Sequence, residues 1–203
     1  MSLLPIFYLP PISWFSVFLK KETEIMLEKK ENFPKQTYRN RAEIYGANGK
    51  LTLSIPIKNQ GKTPMEKVEM SFAEDWKSQH WKSIQSAYQN SPYFEYYQND
   101  LKKIYENEIS NLVEFNIHAL KIVLKLLKKN QSFTLNSEYQ HEFDGQDFRT
   151  LFSSKKESPW EMDSYYQVFS DKGGFVKDLS ILDLLCNKGP ETTTYLLELS
   201  KLL

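Results

Sequence analysis

Two sets of polar residues in this 203-residue chain have the types and spacing to act on a charged small molecule. The first is Lys35, Arg39 and Arg41. Residues two apart on a strand point to one side, so two guanidinium forks and a nearby ammonium would address one volume and suit a phosphate or carboxylate. A solvated sheet face with surface ion pairs is the plain alternative. The second set is Ser180, Asp183 and Asn187, a polar stripe at i, i+3 and i+7 on a helical stretch whose other side carries Ile181, Leu184 and Leu185. Such a stripe can line a cleft, although Ser180 and Asp183 also fit a helix-start capping box with Asp in place of Glu, which leaves only Asn187 unexplained. His80 shares a helical stripe with Trp76 and Ile84, so it is expected to be partly buried, either as a core histidine with a partner or as a general base. Asn116, between Leu112 and Leu120 on an apolar face, is another buried polar residue in need of a partner.

The elements that must position these residues follow from pattern. Residues 6–9 are a short apolar run between prolines, then come Trp14, Phe15 and Phe18, then a β-prone stretch over 23–28, which together predict strand, helix, strand. Asn48-Gly49 is a hairpin signal, since both residues accept φ > 0, and Leu51, Leu53, Ile55 and Ile57 alternate after it. A two-residue turn there sets Ile44 opposite Leu53, Ala42 opposite Ile55 and Asn40 opposite Ile57 on the core side, with Arg41 facing Pro56 and Arg39 facing Lys58 on the other. Ser71 with Glu74 predicts a helix ending near residue 90; Ser91-Pro92 opens one over 93–107; Ser110 opens a third. Further on, a short strand is expected at 133–135, a helix around 146–152, a strand at 165–169, a turn at Gly173-Gly174, a helix from Ser180 to Gly189, and a last helix from Pro190 to the C-terminus. The expected fold is one α/β domain over 1–203, with a mixed β-sheet made of an N-terminal β-α-β unit plus a β-hairpin, packed by helices.

Composition narrows the function classes. Twenty-six basic and 26 acidic residues cancel, so the field that draws proteins to nucleic acid or anionic lipid is missing, and neither partner is expected. The stretch 3–19 is uncharged, but Pro5, Pro10 and Pro11 interrupt it and no signal-peptide pattern surrounds it, so no membrane span is expected. One cysteine, Cys186, leaves no disulfide or cysteine-cluster metal site and suits a cytoplasmic setting. Gly-rich phosphate loops, nucleophile elbows and His-Glu-x-x-His motifs are absent, no metal ligands are assigned, and the sequence names no cofactor.

Four blocks resemble the WbqC-like family of bacterial proteins. They are Phe7-Tyr-Leu-Pro10 with Trp14 and Phe15; Lys35-Gln-Thr-Tyr-Arg-Asn-Arg41; Ala87-Tyr-Gln-Asn-Ser-Pro-Tyr-Phe94; and Leu179-Ser-Ile-Leu-Asp-Leu-Leu185 with Asn187 and Gly189-Pro-Glu191. The chain is similar to the family's short form, with a compressed segment between Gln131 and Tyr165. The resemblance implies an association with O-antigen and other surface-polysaccharide gene sets, and it marks Tyr8, Gln36, Tyr38, Arg39, Asn40, Arg41, Ser180, Asp183 and Asn187 as motif positions.

The reading that joins these observations is a group-transfer enzyme of surface-glycan assembly, a transferase acting on an anionic, phosphate- or carboxylate-bearing activated small molecule. Arg39 and Arg41 would hold the anion, Gln36 and Asn187 would orient the acceptor, and Asp183 or His80 would move the proton. One alternative is a nucleotidyl-transfer enzyme of HUP-like fold, although Pro11-Ile-Ser-Trp14 stands where that class carries His-x-x-His. Another is a non-catalytic module binding a sugar or a protein through Tyr93, Phe94, Tyr96 and Tyr97.

Overall fold

The computed structural model describes residues 1–20, 23–58, 61–156, 158 and 160–202. It opens on strand β1 (Ser2–Pro5), buried at every residue. Side chains alternate across a strand, so burial of both Leu3 and Leu4 requires cover on both faces, as in a central parallel strand. β1 pairs in parallel with β2 (Ile25–Glu28), Ser2 opposite Ile25 and Pro5 opposite Glu28. Helix α1 (Ile12–Phe18) makes the crossover that parallel pairing demands. Its Trp14 and Phe18 rings stack at 4.7 Å, and the Trp14 indole donates to the Pro5 carbonyl at 3.0 Å.

The hairpin of β3 (Arg41–Gly46) and β4 (Gly49–Ser54) forms a sheet of its own. The parallel sheet is completed by two short strands, β5 (Thr134–Leu135) beside β2 and β6 (Gln146–Asp147) beside β1, in the order β5-β2-β1-β6. The expected single mixed sheet is therefore two sheets within a mixed α/β fold. Helices α2 (Trp76–Tyr88), α3 (Phe94–Lys102), α4 (Leu112–Leu126), α5 (Ser170–Gly173), α6 (Ile181–Lys188) and α7 (Thr192–Leu199) cover them. No helix among the described residues is long and apolar enough to cross a membrane.

Several elements lie where pattern puts them, and the exceptions have physical causes. The run 6–9 is buried loop, because β1 has already ended and Leu9, just before Pro10, turns the chain at φ 42°. The hairpin turns at Ala47 and Asn48, since only Gly49 has positive φ (102°). Pairing accordingly slips by two residues: Ile44 lies opposite Leu51, Ala42 opposite Leu53 and Arg41 opposite Ser54. A slip of two keeps each side chain on its face, so Ala42, Ile44, Leu53 and Ile55 remain core while Leu51 is 41% exposed. The opposite face of β3 is not solvated either, because Glu43 and Tyr45 are buried.

Helix starts shift by a residue or more. Asp75, rather than Ser71, caps α2 by accepting from the Ser78 amide at 3.3 Å, and Asn111, next to Ser110, caps α4 through the Val113 and Glu114 amides at 3.0 and 3.1 Å. Ser91 donates back to the Tyr88 carbonyl at 2.7 Å, closing α2, and α3 stops at Lys102 instead of near 107. The helix expected around 146–152 is replaced by β6 and a turn, where Arg149 is tied to Asp147, Glu28 and the Gln140 carbonyl. The strand expected at 165–169 is loop, with Tyr165 and Gln167 spent on the Asp183 carboxylate. In both segments tertiary polar contacts override local propensity. The last helix begins beyond Pro190 at Thr192, and Leu203 lies outside the described residues.

The four sequence blocks converge in the interior. The Tyr8 amide donates to the Tyr38 carbonyl at 2.9 Å, joining the first block to the second. Ile12 donates to the Leu179 carbonyl at 3.0 Å and Ile181 to that of Pro10 at 2.9 Å, joining the first to the fourth. Ser180 donates to the Glu43 carbonyl at 2.8 Å, and Tyr93 to that of Cys186 at 3.0 Å. Much of what these blocks encode is thus the junction of β1, β3, α2 and α6.

Candidate functional site

Arg39 and Arg41 part company because residues 38–40 form a turn, with strand geometry starting only at Arg41. Period-two alternation does not carry across a turn, so the two guanidiniums do not share a side. Arg39 is 5% exposed, bonds Glu31 through Nε and Nη2 at 2.8 and 2.9 Å, and lies 5.2 Å from the Phe7 ring centre. A third bond runs to the Arg149 carbonyl at 3.2 Å. Its charge is answered inside the protein, so it is not free to hold a ligand.

Arg41 instead lines a cavity of about 330 Å³ with Lys35, Gln36, Asn40 and Lys58, walled by Phe33, Ile55, Pro56, Ile57 and Val68. No Asp or Glu is among the described residues lining it. Lys58 reaches Glu69 only at 4.0 Å, whereas Lys35 and Gln36 are exposed at the rim. The Arg41 Nε is buried without a hydrogen-bond partner, as is Oδ1 of Asn40, whose amide nitrogen donates to the Ile55 carbonyl at 2.9 Å. Gln36 takes φ 61°, a conformation non-glycine residues seldom adopt, at the bend that brings Lys35 to the cavity. Three cations around a half-apolar hollow have the chemistry to receive an anion.

Of the other motif positions, Tyr8 is wholly buried and its hydroxyl lies between His80 Nδ1 (3.0 Å) and the Tyr105 hydroxyl (2.5 Å). Burial lowers the His80 pKa to about 4, partly opposed by a hydrogen bond to the Ser54 backbone. His80 is therefore neutral at pH 7 and satisfied, one residue behind the cavity wall that Ser54 helps to form. Asn116 donates to the Arg39 carbonyl at 2.8 Å, while its Oδ1 is buried without a partner. Tyr38 is buried beside Glu43, which Lys50 neutralises at 3.0 Å, and faces a neighbouring cavity of about 360 Å³ that Lys156 and Lys177 also line.

The α6 stripe is interior. Ser180 caps the helix by accepting from the Leu182 amide at 3.4 Å, and Asn187 donates to the Asp183 carbonyl at 2.8 Å. Asp183 accepts from the Tyr165 hydroxyl at 2.6 Å and Gln167 Nε2 at 2.8 Å. Burial pushes its pKa up to about 6 against the lowering pull of Tyr165, Gln167 and Tyr88. β3 lies between this network and the Arg41 cavity, as the Ser180 to Glu43 bond shows, so the two polar surfaces touch one strand without lining one hollow.

Reasoning from sequence missed a charge cluster at the carboxyl ends of the parallel strands. Glu28, fully buried at the end of β2, accepts from the Lys30 and Glu31 amides and from Asn136, and pairs with Arg149 at 3.3 Å. Its members are spread from 28 to 149, so no local spacing could reveal it. Lys58 was missed as a cavity residue because the assumed register set it opposite Arg39. Among the described residues no group of three or more His, Cys, Asp or Glu is placed to hold a metal ion.

The model of the WbqC-like protein family matches residues 7–158, three of the four blocks included. The chain belongs to the WbqC-like family. A relative is the uncharacterized protein Rv1507c of Mycobacterium tuberculosis (strain ATCC 25618 / H37Rv), 24% identical over 220 residues, covering 93% of this chain and 94% of that protein. No solved structure matches this chain. Within this WbqC-like chain the Arg41 cavity falls inside the family's span, whereas the α6 stripe lies beyond it.

Proposed function

We propose that this WbqC-like protein binds the phosphate or carboxylate of a small activated molecule at Arg41, Lys35 and Lys58, and that it acts as a group-transfer enzyme. The observation that carries the reading is the set of three cations around one hollow with no carboxylate in its described lining. Such a wall stabilises negative charge that grows on a leaving group. The transfer that suits it releases an anion, since neither His80 nor Asp183 lines the cavity. A surface-glycan setting is what the family resemblance implies. The test is a thermal-shift screen of nucleotide sugars, acyl-CoAs and ATP on the wild type and Arg41→Ala. Stabilisation of the wild type alone supports the reading, and equal responses overturn it.

Against nucleotidyl transfer on a HUP-like plan, the start of α1 already holds a carboxylate: Asp178 accepts from the Ser13 amide and hydroxyl, each at 2.8 Å. A nucleotide phosphate there would meet like charge. The non-catalytic reading has one observation in its favour, a cavity of about 400 Å³ lined by Tyr93, Tyr96 and Tyr97 with Pro190 and Lys128. Tyr96 is 78% exposed there, while Phe94 turns into the core and takes no part. Arg41→Ala with intact sugar binding, and Tyr96→Ala without it, would favour that module.

A further inference from the structure

We infer that the molecule held by the Arg41 cavity carries a hydrogen-bond donor, a hydroxyl or N–H, close to its anionic group. This rests on the anion-binding reading above. Buried polar atoms in folded proteins nearly always have partners, because an unanswered one forfeits a hydrogen bond that water would have supplied. Two consecutive residues of this cavity break that rule with opposite polarity: Arg41 Nε is a donor without an acceptor, and Asn40 Oδ1 an acceptor without a donor. The Asn40 side chain is 9% exposed, and its amide nitrogen is fixed on the Ile55 carbonyl at 2.9 Å, which sets which end of the amide is left over. An arginine never accepts, and a fully ionised phosphate or carboxylate has no proton to donate, so such an anion alone answers only Arg41. Oδ1 of Asn40 requires a donor from the same ligand.

Arg41 and Asn40 both line the cavity, so a ligand seated there lies beside the two unanswered atoms. The apolar wall of Phe33, Ile55, Pro56, Ile57 and Val68 accepts the uncharged body of such a molecule. The ligand class is thus an organic phosphate or carboxylate with a neighbouring hydroxyl, amine or amide, and a simple alkyl phosphate binds less tightly.

The experiment compares three probes of matched size on the full chain by calorimetric or NMR titration: propyl phosphate, 2-hydroxyethyl phosphate and 2-methoxyethyl phosphate. The hydroxyl compound is expected to bind roughly three- to tenfold more tightly than the other two, the range a single net hydrogen bond supports. Asn40→Ala should abolish that preference, so that the hydroxyl compound and propyl phosphate bind alike. Equal affinities of the three probes for the wild type, as a resident water serving both atoms would produce, overturn this inference while leaving anion binding intact. Failure of all three and of inorganic phosphate overturns the anion reading itself. The wild-type comparison needs no variant, so a poorly folding Asn40→Ala cannot leave the question open.

Discussion

Arg39 and Arg41 stand two residues apart and belong to regions built on opposite principles. Around Arg39, at the carboxyl ends of the parallel strands, Glu28, Glu31, Asp147 and Arg149 answer one another, and each described cation has a carboxylate within 3.3 Å. Around Arg41, beside the hairpin, cations gather with no carboxylate in the lining. Buried charge that is paired is architecture, because removing one partner strands the other in low dielectric. Charge that is gathered, with only Glu69 at 4.0 Å from Lys58 to answer it among the described residues, leaves room for an anion from outside the chain. The difference teaches that a basic motif is read by where its counter-charges are, not by its spacing.

The largest expected effect follows from breaking the paired region. Arg39→Ala leaves the half-buried Glu31 without its cation and should lower unfolding stability by about 3 kcal/mol in chemical denaturation. Arg41→Ala should change stability by no more than about 0.5 kcal/mol. Equal losses for the two variants would erase the distinction.

A second pair of buried groups sharpens the contrast through pH. The Asp183 pKa is raised to about 6, so the folded chain holds its proton more firmly than the unfolded one, and this group's contribution is lost as pH rises from about 4 through 6. The His80 pKa is lowered to about 4, so its contribution is present above about 6.5 and is lost as pH falls toward 4. The two slopes oppose in one window. Asp183→Asn should therefore tilt the stability profile upward with pH by roughly 2–3 kcal/mol across it, and His80→Gln should tilt it downward. Melting profiles from pH 4 to 7 check both signs, and unchanged slopes in the two variants would contradict the burial of these groups.

Smaller effects belong to the cavity. Arg41→Ala should weaken an organic phosphate about tenfold or more, and Lys58→Ala, whose ammonium is exposed and shared with Glu69, only about two- to threefold. Raising salt should reduce the Lys58 contribution first, since it is the better solvated charge. A larger loss for Lys58→Ala than for Arg41→Ala would move the centre of the site to the rim.

Local patterns in the sequence carried the parts of the fold that depend on neighbours in the chain. The β-α-β plan, with its first strand expected at 6–9 and found at 2–5, the core face of the hairpin, the bodies of the helices around His80 and Asn116, and the Ser180 to Gly189 helix follow from apolar period. What failed depended on tertiary balance. The hairpin slipped because one glycine, not an Asn-Gly pair, took the positive-φ position. Residues 146–152 gave up a helix to tie Arg149 to Glu28, more than a hundred positions away. At the site, Arg41, Gln36 and Lys35 meet and Asn40, which strand register set on the core side, joins them, but Arg39 was lost to a turn that strand spacing cannot foresee. Asp183 and Asn187 stand out as polar in the sequence, yet the partners of the Asp183 carboxylate, Tyr165 and Gln167, come from a loop with no pattern of its own.

The central claim is that Arg41, Lys35 and Lys58 enclose an anion site. Titration of isotope-labelled protein with pyrophosphate, followed by backbone amide chemical shifts, tests it most directly. Saturable shifts confined to residues 35–41 and 54–58, and abolished in Arg41→Ala, are the predicted result. Shifts that appear instead around Lys156 and Lys177, or that persist unchanged in Arg41→Ala, would contradict it.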